Sequence, residues 1–198
     1  MSYGPLIGQL VEALRCLPGV GPKSAQRMAF YLLERNKNGA LQLAKALGEA
    51  VEKVGNCKIC RTLSETETCT FCADHKRNRQ ILCIVETPAD VHVTDNSTEY
   101  KGLYFVLMGR LSPLDGIGPD DIGLDLLAKR IREENISEII LATNPTAEGE
   151  ATAHFVREMF SDKDIKITRI AHGVPIGGEL EYVNSSTLFH AFSGRHEL

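Results

Sequence analysis

Four cysteines, Cys57, Cys60, Cys69 and Cys72, lie in CKICRTLSETETCTFC as two C-x-x-C pairs separated by eight residues. A C-x-x-C turn sets two thiolates on one side of a tight loop, and two such turns facing each other complete a tetrahedron. That donor set suits one Zn²⁺. Four protein ligands leave no position open for water, so the expected ion is structural rather than catalytic. The alternative is a pair of redox dithiols. A redox C-x-x-C normally opens a helix inside a βαβ pattern, and neither pair is so placed. His75 is read as a bystander. Cys16 and Cys83, set in apolar patterns, are read as core residues.

A second pattern points to phosphate. LRCLPGVGPKSAQRMAF places Gly19 and Gly21 between two helical stretches. Glycines let the backbone turn tightly and bring bare N–H groups close to a ligand. Those groups open a helix, where the dipole also favours an anion. Lys23 and Arg27 stand one helical turn apart and share a face. Phosphate contacts of this kind carry no sequence information. GVGPKS also suggests the end of a nucleotide P-loop, but Pro22 interrupts the required Gly-Lys-Ser and a helix, not a strand, precedes it. A plain helical hairpin is the remaining alternative.

Carboxylates form a third group. ILCIVE ends an apolar run on Glu86, and EIILATNPTAEGEATAHF ends another and enters a helix bearing Glu148 and Glu150. At the carboxyl ends of parallel strands such groups could hold Mg²⁺, or they could form a solvated acidic loop.

The elements that must carry these residues follow from periodicity. Residues 5–16 read as an amphipathic helix, and Pro22 suits the first position of a helix running to about Arg35. Asn38 is expected to cap a third helix with Leu41, Ala44, Leu47, Val51 and Val54 on one face. Residues 55–75 lack periodicity and read as a compact module. Beyond Gln80, ILCIV, LYFVLM, EIILAT and IKITRI read as strands. They alternate with helices over 87–95, 123–134 and 149–160, which predicts a mostly parallel sheet covered on both faces. The end reads as a loop and strand followed by a short helix. His172 and the Gly177–Gly178 turn are taken as parts of a structural loop. The expected fold class is α+β in several modules: a helical hairpin domain over 1–54, a four-cysteine module over 55–79, an α/β domain over 80–175 and a strand/helix segment over 176–198.

Composition agrees with a globular chain. Of 198 residues, 43% are apolar and 24% charged, an ordinary soluble balance. No apolar run approaches the ~20 residues that span a bilayer, and the first ten residues lack a basic leader region. A cytoplasmic protein with reduced cysteines is expected. Net charge is −4, but residues 1–80 carry 12 Lys+Arg against 7 Asp+Glu, and residues 81–198 carry 10 against 19. The first part is suited to phosphates and the second to something else.

LPGVGPKSA resembles the helix–hairpin–helix DNA-binding motif. The run of strands with Glu86 and ATNPTAEGEA resembles the Toprim domain of topoisomerases, primases and some nucleases, whose carboxylates hold Mg²⁺. Type I topoisomerases carry a sequence similar to ATDPDREGEA, so Asn144 and Thr146 stand where two aspartates would be. Loss of two negative charges should weaken binding of a hard cation severely. Hairpin, four-cysteine module and degenerate Toprim domain in this order, with HGVPIGGELEY and TLFHAFSGR at the end, look like the RecR family of bacterial recombination mediators.

That resemblance implies a non-enzymatic, ring-shaped homotetramer able to encircle DNA. It further implies work with RecO and, in many bacteria, RecF in loading recombinase onto gapped single-stranded DNA. On this reading Gly19, Gly21, Lys23 and Arg27 meet DNA. The acidic face with Glu86, Glu148 and Glu150 suits a basic partner protein, a family remnant or a weak metal site being the alternatives. The rival functions are a metal-dependent Toprim nuclease or topoisomerase-like enzyme, against which Asn144 and Thr146 speak, and a zinc-stabilised interaction module without DNA contact.

Overall fold

Prolines open the first two helices, where a missing N–H leaves nothing unpaired. Helix α1 spans Pro5–Leu14 and α2 spans Pro22–Glu34. They pack through Val11 against Ala25 and Ala29, both fully buried, with Ile7, Leu10, Leu14 and Val20 around them. Helix α3, Lys37–Lys53, is capped by Asn36, whose side chain accepts from the Gly39 N–H at 2.9 Å. Asn38, expected in that role, lies within the helix. The cap must stand outside the helical backbone and reach the third N–H onward, and Asn36 meets both conditions. No α3 residue is buried, and Leu41, Leu47 and Val51 remain 71%, 56% and 83% exposed.

The computed structural model describes residues 3–171 and 173–195, and the chain forms two compact units, one ending at Val54 and one beginning at Gly55. The second unit starts with the antiparallel pair β1, Gly55–Asn56, and β2, Leu63–Ser64, followed by the single turn α4, Thr70–Ala73. Its sheet contains β3 (Asn78–Val85), β4 (Gly102–Val106), β5 (Glu138–Leu141) and β6 (Lys166–Arg169), all parallel, in the order β4-β3-β5-β6.

Three helices connect these strands: α5 (Pro88–Ser97), α6 (Leu124–Glu133) and α7 (Ala147–Met159). Side chains alternate across a strand. Leu82, Ile84, Leu103, Phe105, Ile139 and Leu141 therefore pack with Leu127, Ile131, Ala153 and Val156 of α6 and α7. Cys83, Val85, Tyr104 and Val106 pack with Val91 of α5 on the other face. This double burial explains the unbroken apolar runs of β3 and β4.

After β6 the described residues form no strand, contrary to expectation. Leu180–Tyr182 closes a 3₁₀ turn, with the Val183 N–H donating to the Leu180 carbonyl, so no extended edge is left to pair. Helix α8, Ser185–Ser193, follows as expected, capped by Asn184. Gly177 takes φ +83° in a turn closed by the Gly178 N–H on the Pro175 carbonyl. His172 lies outside the described residues. Among those described, no helix is long and apolar enough to cross a membrane.

Candidate metal centre and nucleic-acid interface

The β1–β2 pair carries the first two cysteines. The Cys57 N–H donates to the Thr62 carbonyl and the Arg61 N–H to the Cys57 carbonyl, with Arg61 left-handed at φ +68°. Cys69 precedes α4 and its N–H donates to Cys57 Sγ at 3.3 Å, joining the two turns. All four sulfurs are buried and lie within 4.8 Å of one another, Cys60 and Cys69 at 3.4 Å. A tetrahedron with ~2.3 Å Zn–S bonds has edges of about 3.8 Å, so the sulfurs need only small shifts.

Their ionisation asks for a cation. Hydrogen bonding to Cys69, with burial, pushes the Cys60 thiol up to about 12, and its neighbours push Cys72 up as well. Cys69, accepting from Cys60 and Cys72, is pulled down. Four buried thiolates cannot coexist unaided, and a divalent ion supplies the missing charge. His75 is exposed and outside the group.

In the first unit, Leu17–Val20 closes a turn by the Val20 N–H donating to the Leu17 carbonyl, with Gly19 at φ +76°. Pro at the second and Gly at the third position is the pattern of a type II turn. Gly21 is the N-cap of α2 and has no side chain to satisfy the Lys23 and Ser24 N–H groups, which stay open to an anion. Lys23 and Arg27 are exposed, opposite the buried Ala25–Ala29 stripe, and among the described residues neither is in a salt bridge.

Serine at position 21 should therefore act in opposite directions. Its hydroxyl would cap α2, adding a few tenths of a kcal/mol, while occupying the N–H groups a phosphate would use. Gly21→Ser is expected to raise Tm slightly and weaken DNA binding, measurable by calorimetry and fluorescence anisotropy. Space does not oppose it, since a Cβ at Gly21 meets nothing within 4 Å.

Comparison with protein families decides what the modules are. Residues 7–51 match the RecR helix-hairpin-helix; 54–74 match the RecR four-cysteine zinc finger domain; 80–171 match the Toprim domain; and 173–196 match the RecR C-terminal region. The chain belongs to the RecR family. As in that family, the four cysteines hold one structural Zn²⁺ and the hairpin is a DNA-binding motif. These RecR modules together support a role in recombinational repair.

At the RecR Toprim domain's strand ends the predicted glutamates do not converge. Among the described residues the cysteines alone bring three or more His, Cys, Asp or Glu ligand atoms together. Glu86, just beyond β3, is 2% exposed, with Oε1 accepting from the Asn144 N–H at 2.8 Å and Oε2 from Asn144 Nδ2 at 2.7 Å. Arg110 Nη1 stands 3.9 Å from Oε2. Glu148 and Glu150 begin α7. Glu148 is half-buried, and Glu150 is exposed and bonded at 2.6 Å to Arg169, which also donates to Thr143. Sequence alone groups Glu86 with the other two as a docking surface, but its carboxylate lies beneath that surface.

Sequence reasoning missed Arg61. From the zinc turn it donates to the Leu107 and Ile122 carbonyls at 3.1 and 2.6 Å and lies over the Phe105 ring. A Cβ at Gly123 would overlap its guanidinium, so that glycine, at φ +72°, was its faint signal. Arg130 makes a similar link from α6, to the Tyr104 carbonyl at 2.7 Å and more distantly to Ile59.

The two remaining cysteines separate. Cys83 is buried as expected, and burial pushes its thiol up to about 12. Cys16, expected in the core, is exposed because α1 ends at Leu14 and the chain is already turning. Under a charged thiol reagent the zinc-loaded protein should label first at Cys16, and at Cys83 only on unfolding, as peptide mass spectrometry would record.

Proposed function

We propose that this RecR-family chain is a non-enzymatic DNA clamp and adaptor that works with RecO and RecF to load recombinase onto gapped single-stranded DNA. The observation carrying the proposal is the open N-terminus of α2 beside Lys23 and Arg27. One hairpin makes few phosphate contacts, so a single subunit should bind weakly and with strong salt dependence. A ring-like homotetramer compensates by multivalency. Uncovered apolar side chains support assembly: Leu41 and Val51 on α3, and Ile176, Tyr182, Phe189 and Phe192 in the terminal segment. Boundaries near 54, 79 and 175 would divide the DNA-binding, zinc, Toprim and assembly parts.

Glu148 and Glu150 would meet a basic partner, with Glu86 beneath them. The missing aspartates at 144 and 146 support absence of strand-cleaving chemistry. Light scattering with and without gapped DNA tests the clamp: a tetramer is expected, and a strict monomer under all conditions would overturn it. Cleavage of gapped or supercoiled DNA with Mg²⁺ or Mn²⁺, abolished by Glu86→Gln, would instead establish the enzyme.

A further inference from the structure

Asn144 and Thr146 occupy the positions where a related metal-dependent domain carries aspartates, and each has a definite bonding role here. Thr146 caps α7, its Oγ1 accepting from the Gly149 N–H at 3.1 Å. Asn144 donates twice to Glu86, backbone N–H to Oε1 and side-chain amide to Oε2. A carboxylate this deeply buried is costly unless its oxygens are satisfied. Arg110 adds positive charge from the side. Gly149 of α7 packs directly on the Asn144 backbone and the Glu86 carboxylate, since a Cβ there would overlap the Asn144 carbonyl and come within 2.9 Å of Glu86 Oε1, while Asn144 itself stays exposed. Mg²⁺ keeps several waters and demands octahedral spacing.

We propose that the Asn144 amide takes the place of a divalent cation at Glu86, acting as a positioning residue that ties the β5–α7 loop to the end of β3 without metal. A cation bridging two carboxylates and an amide donating to one carboxylate solve the same problem, which is how to hold a buried negative charge against the next strand's loop. The amide is part of the chain, so the loop that starts α7 keeps its conformation whether or not Mg²⁺ is available. The proposal goes beyond the clamp reading and does not depend on what Glu148 and Glu150 contact.

Aspartate at 144 removes the side-chain donor, leaving only the backbone N–H on Oε1, and sets a second carboxylate against Glu86. Without metal, Asn144→Asp is expected to lower Tm by on the order of 10 °C, as breaking a buried charge's partnership does. Mn²⁺ should restore most of that loss. The double variant Asn144→Asp/Thr146→Asp should show a bound Mn²⁺ signal by electron paramagnetic resonance, with the zinc content unchanged. The wild-type protein needs no variant to be tested: its Tm should be the same with and without added Mg²⁺, and millimolar Mn²⁺ should stay free. Wild-type Mn²⁺ binding that Glu86→Gln abolishes would overturn the proposal, because the site would then still be a metal site. So would an Asn144→Asp protein that, zinc-loaded and without added Mg²⁺ or Mn²⁺, is as stable as the wild type. Failure of either result leaves the clamp reading untouched, since that rests on the hairpin and on oligomeric state.

Discussion

Cys72→Ser is expected to lose its zinc and to disorganise residues 55–74 while the helical and sheet cores survive. Among the described residues the module's buried cluster is formed by the four cysteines, with Ile59 and Phe71 packed against it. Such a small core cannot offset the conformational entropy of ordering the segment. Zinc binding contributes about 10–16 kcal/mol in isolated zinc-finger peptides, so the metal is the principal source of order here. The large cluster around Leu82, Phe105, Leu127 and Ile139 has no cysteine ligand in it and should persist.

The damage should nevertheless reach the sheet edge. The Val106 N–H donates to the Cys60 carbonyl at 2.9 Å, and Arg61 holds the Leu107 and Ile122 carbonyls. Metal analysis should give near-zero zinc, and hydrogen exchange should accelerate across 55–74 and at Val106, with α1 and α2 unchanged. Lowering the pH of the wild type should act in the same direction. Protons compete with Zn²⁺ for thiolates, so affinity falls as pH falls. A folded, tetrameric Cys57→Ser protein that had lost only DNA binding would contradict this structural role.

Reversing the hairpin charges should abolish DNA binding with the fold intact. Lys23→Glu and Arg27→Glu each remove an exposed cation from the face opposite Ala25 and Ala29. Stability should hardly change, because exposed substitutions away from caps and packing usually fall within about 0.5 kcal/mol. A charge-assisted contact is worth about 1.5–3 kcal/mol, so each substitution should cost roughly ten- to a hundredfold in affinity. Each lost phosphate contact should also reduce the slope of log K against log salt by about 0.9. The loss should be uniform across DNA sequences, since phosphates carry no base information. Unchanged affinity and salt slope in the double variant would favour an interaction module that does not touch DNA.

How far these sites could be read in advance depended on the range of the forces that make them. The zinc ligands and the hairpin were legible because their geometry is local. C-x-x-C positions two thiolates within one turn, and Leu17-Pro18-Gly19-Val20 with Gly21-Pro22 dictates a turn followed at once by a helix start. The alternation of apolar runs and helices was equally local, and it led to the parallel sheet with both faces covered. Local rules were weakest where two residues competed for one task, as Asn36 and Asn38 did for the α3 cap, and where a strand needed a partner, as after β6.

Residue types and spacings were therefore enough to point to the zinc site and the hairpin, and the resemblance of those motifs led to the family that the family models show. Depth and pairing were decided only by the fold. Glu86 reads as one of three acidic residues, yet the closing of α7 over the strand ends buries it against Asn144, 58 residues later. Arg61 drew no reading from the sequence, yet it joins the zinc turn to carbonyls 46 and 61 residues away. A side chain's neighbours in sequence set its local conformation. Its burial, and thus the cost of its charge, is set by chain that arrives from elsewhere.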